Sequence, residues 1–452
     1  MNISAPITDS ITGLVCETID TDSDMYSPTF DLKLLKSIVP TKGAAPATFT
    51  RSTTASVTDF EGIVHTAKIN ELRFPNARRV ENLLSNTEIL STQTVTVVSG
   101  ASYILSFSGT GTVTLSGSAT GTLSGEVGTR VEVSKTMAST SLTLTVTGSV
   151  LQAMLEQKIG TQTEASEYVS SGVLSSPFHG AYVDNVKYFG TDRSGSVLTN
   201  LKGALIELLA INLFLNSNAP VTQIITVVSG TIYTVWGTGT GSVVLSGAGT
   251  GTVTANNPLT FTASSTTLTC TVASMLTMQA EAGSAKTSYI PTAGATVTRT
   301  ADLLYYTVTD VITQGRGSLY AEFTYKYSTG FPRVLELNFG SNTYISIRIT
   351  TAKLLGVIVQ TTSVTQVNIN TASAISNDLT YKVLVTYEDN NVNFYVNGEL
   401  IGTDTLGTIP INIDKLFIGS NLTTAHLNGS VRNIKYFSKA LTESQAKRIT
   451  TT

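Results

Sequence analysis

Apolar and polar positions alternate with a period of two along most of this chain. Leu142 to Val146 and Leu268 to Val272 set apolar residues against threonine, the pattern of a strand with one buried and one wet face. Thr94 to Val98, Tyr103 to Phe107 and Thr112 to Leu115 read as further short strands, with Ser99-Gly100 and Gly109-Thr110-Gly111 turning the chain between them. Beyond Arg299, strands are expected at Ser318 to Tyr327, Val334 to Phe339, Tyr344 to Ile349 and Leu354 to Val359. Val392 to Val396 and Glu399 to Ile401 flank Asn397-Gly398, which supplies the two positive-φ residues of a type I′ hairpin. Val392, Phe394 and Val396 share one face of that strand, and Asn393, Tyr395 and Asn397 the other. Val383 and Val385 alternate likewise against Leu384 and Thr386, as expected of the next strand in a meander. Phe394 should therefore lie between two sheets, with Asn397-Gly398 as an exposed tip. Thr442-Glu443-Ser444-Gln445 is a capping box before a short helix through Ile449. The fold class is all-β.

A repeat organises these strands. Val97-Val98-Ser99-Gly100 returns as Val227-Val228-Ser229-Gly230, Tyr103 as Tyr233, Leu115-Ser116-Gly117 as Leu245-Ser246-Gly247, and Thr120-Gly121-Thr122 as Thr250-Gly251-Thr252. Asn82-Leu83 and Asn86 return as Asn212-Leu213 and Asn216, and every pair is 130 residues apart. Glu156 then answers to Glu281 and Tyr168 to Tyr289, with small deletions in the second copy. That period is a whole domain rather than a solenoid unit. Many short strands with turns between them make each copy a jelly-roll-like β-sandwich module. The first copy has Glu164 to Gly172, EASEYVSSG, where the second has KTSYIPTAG.

Composition narrows the function. Only 13% of residues are charged and the formal net charge is −3, which gives no electrostatic footprint for nucleic acid. Thr, Ser, Gly and Asn supply the polarity, as on a neutral sheet surface. The two cysteines, Cys16 and Cys270, read as unpaired thiols and exclude a disulfide framework. The N-terminus shows no secretory signal, and the apolar stretch from Leu201 to Leu215 is too short to span a bilayer.

No catalytic, cofactor or metal site is expected. His65, His179 and His426 lack a second His or a Cys at metal spacing, and no EF-hand-type cluster occurs. No nucleophile elbow is present. The acidic residues of the last third, Glu322, Glu336, Asp378, Glu388, Asp389, Glu399, Asp404 and Asp414, are scattered rather than paired as glycosidase carboxylates. Gly109-Thr110-Gly111 and Gly237 to Gly241 lack the Lys and helix of a phosphate loop. Trp236, the single tryptophan, stands where the first copy has Ser106 and is the one weak ligand-binding candidate.

The last third resembles a concanavalin A-like, laminin G-like domain. Tyr381 to Thr386, NFYVNGELIG from Asn393, KLFIGSN from Lys415 and LNGSVRNIKYFSKALTESQAKRI from Leu427 carry the resemblance. FTRSTTASVTDFEGIV from Phe49, GALIELLAINLFLNS from Gly203 and TSYIPTAGATVTRTADLL from Thr287 resemble segments of phage structural proteins that end in such a domain. The resemblance implies a virion fibre, spike or decoration protein of head or tail, made in host cytoplasm. Its partners would be other virion proteins and host-surface glycans, with no nucleic acid and no membrane insertion, and homo-oligomers are compatible with this. The expected organisation is an N-terminal docking arm at 1–45, modules at 46–176 and 177–298, and a concanavalin A-like sandwich at 299–452. The alternative is a polysaccharide-acting enzyme or a bacterial or prophage adhesin.

Overall fold

The computed structural model describes residues 27–172, 178–326, 330–421 and 425–451. The strand pattern after Arg299 resolves into two stacked seven-stranded antiparallel sheets. One runs Phe30–Leu32, Gly429–Phe437, Gly317–Tyr325, Thr380–Glu388, Asn391–Val396, Glu399–Asp404, with Ala204–Ile206 also paired to Gly429–Phe437. The other runs Ala47–Thr50, Leu303–Thr307, Lys415–Ile418, Arg333–Asn338, Tyr344–Ile349, Leu355–Thr361, Val364–Asn370. Val383, Val385, Val392 and Phe394 meet Leu335, Leu337, Ile347 and Leu416 in the core between the sheets. The strand expected over Ser318 to Tyr327 is Gly317–Tyr325, and Tyr327 lies outside the described residues.

The helix Glu443–Thr451 covers the far side of the first sheet, over Tyr320, Leu384, Tyr395 and Phe437. Its capping box is formed: Thr442 N donates to Gln445 Oε1 at 2.9 Å and Gln445 N to Thr442 Oγ1 at 3.5 Å. Asn397 and Gly398 have φ of 48° and 88°, as the hairpin requires. The exposed-tip expectation holds for Asn397 only. Gly398 N donates to Thr450 Oγ1 at 3.1 Å, so the helix end clamps the turn.

The domain boundaries differ from those drawn on the sequence. Phe30, Leu32, Leu34 and Ile38 are fully buried, and Phe30–Leu32 and Ala47–Thr50 are strands of the sandwich. The docking arm expected at 1–45 instead gives the sandwich the strand Phe30–Leu32 and the buried Leu34 and Ile38, and its residues 1–26 lie outside the described residues. Residues 46–81 and 178–206 are likewise not module sequence. The hairpin Ala55–Thr58 with Val64–Ala67, and the pair Arg78–Glu81 with Val186–Phe189, place Val57, Phe74, Val186 and Tyr188 on the sandwich core. Each of these segments is too short to bury its apolar side chains alone, and the sandwich supplies the cover.

The modules occupy 82–172 and 212–294, and their strand orders match. In the first, Gln93–Thr96, Ser141–Thr147, Thr112–Gly117, Gly121–Ser124 form one sheet and Val131–Thr136, Ser102–Ser108, Leu151–Gln157 the other. In the second, Ile232–Gly247 and Thr267–Ala282 run continuously through both layers, joined by Gln223–Thr226, Gly251–Thr254 and Leu259–Thr262. Asn82 and Asn212 are fully buried and make the same four bonds: Nδ2 donates to Ala153 O and Val169 O, or to Met278 O and Ile290 O. Oδ1 accepts from Leu84 N and Leu155 N, or from Phe214 N and Ala280 N. Tyr168 OH meets Thr87 as Tyr289 OH meets Ser217. Glu156 accepts from Ser166 N as Glu281 does from Thr287 N.

Candidate functional site

The outer face of the second seven-stranded sheet sets polar, charged and aromatic side chains in adjoining rows. One cross-strand row crosses all seven strands: Thr48, Tyr305, Phe417, Glu336, Ser346, Ile358, Asn368. On one side of it lies the row Arg333, Arg348, Gly356, Asn370, and on the other Lys415, Asn338, Tyr344, Gln360. Alternation places most of these residues, because their neighbours Leu335, Leu337, Ile345, Ile347 and Leu416 point into the core. A bulge between Arg333 and Leu335 turns Arg333 back onto the polar side.

Polar groups here are buried beside aromatic rings. Glu336 is 2% exposed; its Oε2 accepts from Arg333 Nε at 2.8 Å and its Oε1 from Asn338 Nδ2 at 2.8 Å. Burial pushes the Glu336 carboxyl above the usual range, against the pull of Arg333 and Asn338. Arg333 lies 5.6 Å from the Tyr344 ring, Arg348 4.9 Å from the Phe331 ring, and Tyr305 tilts against Phe417 at 5.3 Å. The Oδ1 atoms of Asn338 and Asn370 have no hydrogen-bond partner among the described residues. Aromatic faces, amide acceptors and a guanidinium on one sheet face are the groups that bind saccharide rings, hydroxyls and charged substituents.

Trp236, the sequence candidate, is half-buried and committed to its own module. Its Nε1 donates to Glu281 Oε1 at 2.8 Å, its ring meets the Tyr289 edge at 6.2 Å, and Lys286 Nζ stands 5.7 Å above it. His65 is buried with Nε2 2.7 Å from Asp59 Oδ2, His179 Nε2 lies 2.9 Å from Ser170 O, and His426 is buried. Among the described residues no three His, Cys, Asp or Glu side chains could share a metal ion. Burial pushes the Cys270 thiol up to about 12, and Cys16 lies outside the described residues. No helix among the described residues is long and apolar enough to cross a membrane. Of the scattered acids, Glu336 alone falls in the three rows. In the sequence Glu336 stands out only as one of the scattered acids, and the strands expected at Val334 to Phe339 and Tyr344 to Ile349 carry no other mark of this face.

The family model of the concanavalin A-like lectin/glucanases superfamily matches residues 310–447. No protein of curated function matches the chain. Solved structures with similarity include Ruminococcus gnavus IT-sialidase CBM40 bound to α2,3-sialyllactose, at 15% identity and TM-score 0.28, covering 30% of this chain and 83% of that one. Domain 4 of the Geobacillus stearothermophilus arabinanase AbnA, in complex with arabinotriose, is 12% identical with TM-score 0.30, covering 37% and 82%. The Limulus polyphemus SAP-like pentraxin is 15% identical with TM-score 0.25, covering 30% and 69%. Similarity at this level carries no information on ligand or activity. The strand arrangement and the family model together make the C-terminal region of this all-β chain a concanavalin A-like, laminin G-like domain.

Proposed function

We propose that this chain is a non-enzymatic display protein that reads glycans with the outer face of the Arg333–Asn338 sheet. The observation that supports the reading is the partnering of that face: buried Glu336, Asn338 and Ser346 lie among half-buried Tyr305, Tyr344 and Arg348. A face meant only for solvent has no need of buried polar side chains bonded to one another beside aromatic rings. The non-enzymatic part rests on the same rows. Glycoside hydrolysis needs two carboxyl groups about 5–9.5 Å apart, whereas Glu336 is the one carboxylate in the three rows and is held by Arg333 and Asn338. The setting we propose is a bacteriophage particle, as fibre, spike or decoration protein. Its support is the resemblance of Phe49 to Val64, Gly203 to Ser217 and Thr287 to Leu304 to segments of such proteins.

The test is incubation of the full chain with purified O-antigen and capsular polysaccharides, reading both retention and reducing ends. Retention without new reducing ends is expected. New reducing ends would favour the polysaccharide-acting enzyme, and retention of none of the panel would contradict glycan reading. The particle setting is tested separately, by probing purified virions of the source phage for the chain with an antibody.

A further inference from the structure

We infer that the saccharide read by this face carries an anionic group, and that the Arg348 guanidinium receives it. The inference rests on the glycan reading above and names its ligand class. Arg333 and Arg348 are direct cross-strand partners. Like charges in that position repel, and the protein supplies a carboxylate partner to only one of them. The two arginines are not equivalent. Arg333 is neutralised by Glu336, and its Nη1 donates to Phe331 O at 3.1 Å. Arg348 has no carboxylate partner among the described residues. Its Nη2 reaches Asn368 Oδ1 at 3.4 Å, its plane stacks on Phe331, and its Nε has no hydrogen-bond partner. Phe331 is 43% exposed, so this stack lies at the open edge of the face.

The other charges around Arg348 do not supply the missing anion. Lys415, two rows away, is 3.6 Å from Asp414, and Glu336 is spent on Arg333 and Asn338. A half-buried guanidinium, stacked and oriented with donors to spare, is preorganised for a planar carboxylate or for a sulfate or phosphate ester. Asn370 lies in the Arg348 row across Gly356, where its Nδ2 donates to Asn368 Oδ1 at 3.0 Å and its own Oδ1 is buried. The face thus offers one cation without a carboxylate partner at its exposed Phe331 end, which suits a short oligosaccharide with a charged residue there.

The experiment uses the full chain and three short oligosaccharides of matched length, titrated by calorimetry at low and moderate salt. An oligogalacturonide carries carboxylates, a sulfated dextran oligomer carries sulfate esters, and unmodified dextran is neutral. At least one charged probe is expected to bind about tenfold more tightly than neutral dextran, and which one separates carboxylate from ester recognition. R348Q should bring that probe to the neutral level, and R348K should recover part of the difference, both with unchanged melting temperature. Equal binding of dextran and the charged probes, or full binding by R348Q, overturns the anionic ligand and leaves glycan reading standing. Failure of both charged probes overturns the inference, and failure of the polysaccharide panel as well overturns glycan reading with it.

Discussion

Arg73 and Asp302 stand 229 residues apart in the chain, yet their side chains meet at 2.6 Å with neither exposed to solvent. Around them Arg51 reaches Asp302 at 3.1 Å, Arg73 and Arg299 reach Glu207 at 2.8 and 2.9 Å, and Ser288 donates to Glu207 at 2.6 Å. Five of these six residues, all but Arg73, fall in the 49–64, 203–217 and 287–304 segments at which the sequence resembles phage structural proteins. The network joins the second module to the sandwich. Removing one partner leaves buried charge uncompensated. Asp302→Ala should therefore cost about 3–5 kcal/mol, read as a lower urea midpoint for the full chain. An unchanged midpoint would mean that the network carries no stability.

The same network sets an acid limit. Burial alone would push the Glu207 carboxyl up, but Arg299 and Arg73 hold it down at about 2. Its folded value is below its unfolded value, so its contribution is complete above the unfolded carboxyl range and is lost as pH falls toward 2. Melting temperature should fall with acid below about pH 4.5, and Glu207→Gln should be less stable at neutral pH but flatter across that window. A Glu207→Gln profile parallel to the parent would contradict this.

Asn82 and Asn212 close the same strand junction in two modules. Replacing either with Ala strands two buried N–H groups and two carbonyls, at about 1–3 kcal/mol for each group that finds no water. The two substitutions lie in separate cores, so their effects should add within about 0.5 kcal/mol. Strong non-additivity in urea titrations of the double variant would mean that the modules do not unfold independently of one another.

Phe394→Ala should destabilise the sandwich by about 3–5 kcal/mol, the range for truncating a buried aromatic. Gly398→Val should also be harmful, because φ is 88° and a Cβ there would run into Thr451 Oγ1. The segment 299–452 on its own lacks the strands Phe30–Leu32, Ala47–Thr50 and Ala204–Ile206. It should be soluble only when co-expressed with 27–211 or fail to show a cooperative melt, and a sharp, independent transition would refute the shared-strand architecture.

Local patterns were legible in the sequence where they repeat or carry turn chemistry. The Tyr344–Ile349 strand, the Asn397-Gly398 turn and the Thr442 capping box needed no tertiary information. The duplication was legible because 130-residue spacing leaves Asn82 and Asn212 in register with their own partners. Phe30–Leu32 was not, since three residues show no periodicity and their pairing partner Gly429–Phe437 lies some 400 residues on. The face proposed to read glycans was not legible either. Arg333, Glu336 and Arg348 look like solvated strand residues until a bulge and the sheet order place them in adjoining rows.

Retention of the full chain on immobilised bacterial polysaccharide, compared with Tyr344→Ala and Tyr305→Ala on the sheet face and Trp236→Ala in the second module, tests the account most directly. Both tyrosines are half-buried on the face proposed to read glycans, whereas Trp236 is tied to Glu281 in its own module. The account predicts that the tyrosine variants melt near the parent and lose retention while Trp236→Ala keeps it. Retention that survives both tyrosine substitutions and disappears with Trp236→Ala would contradict it.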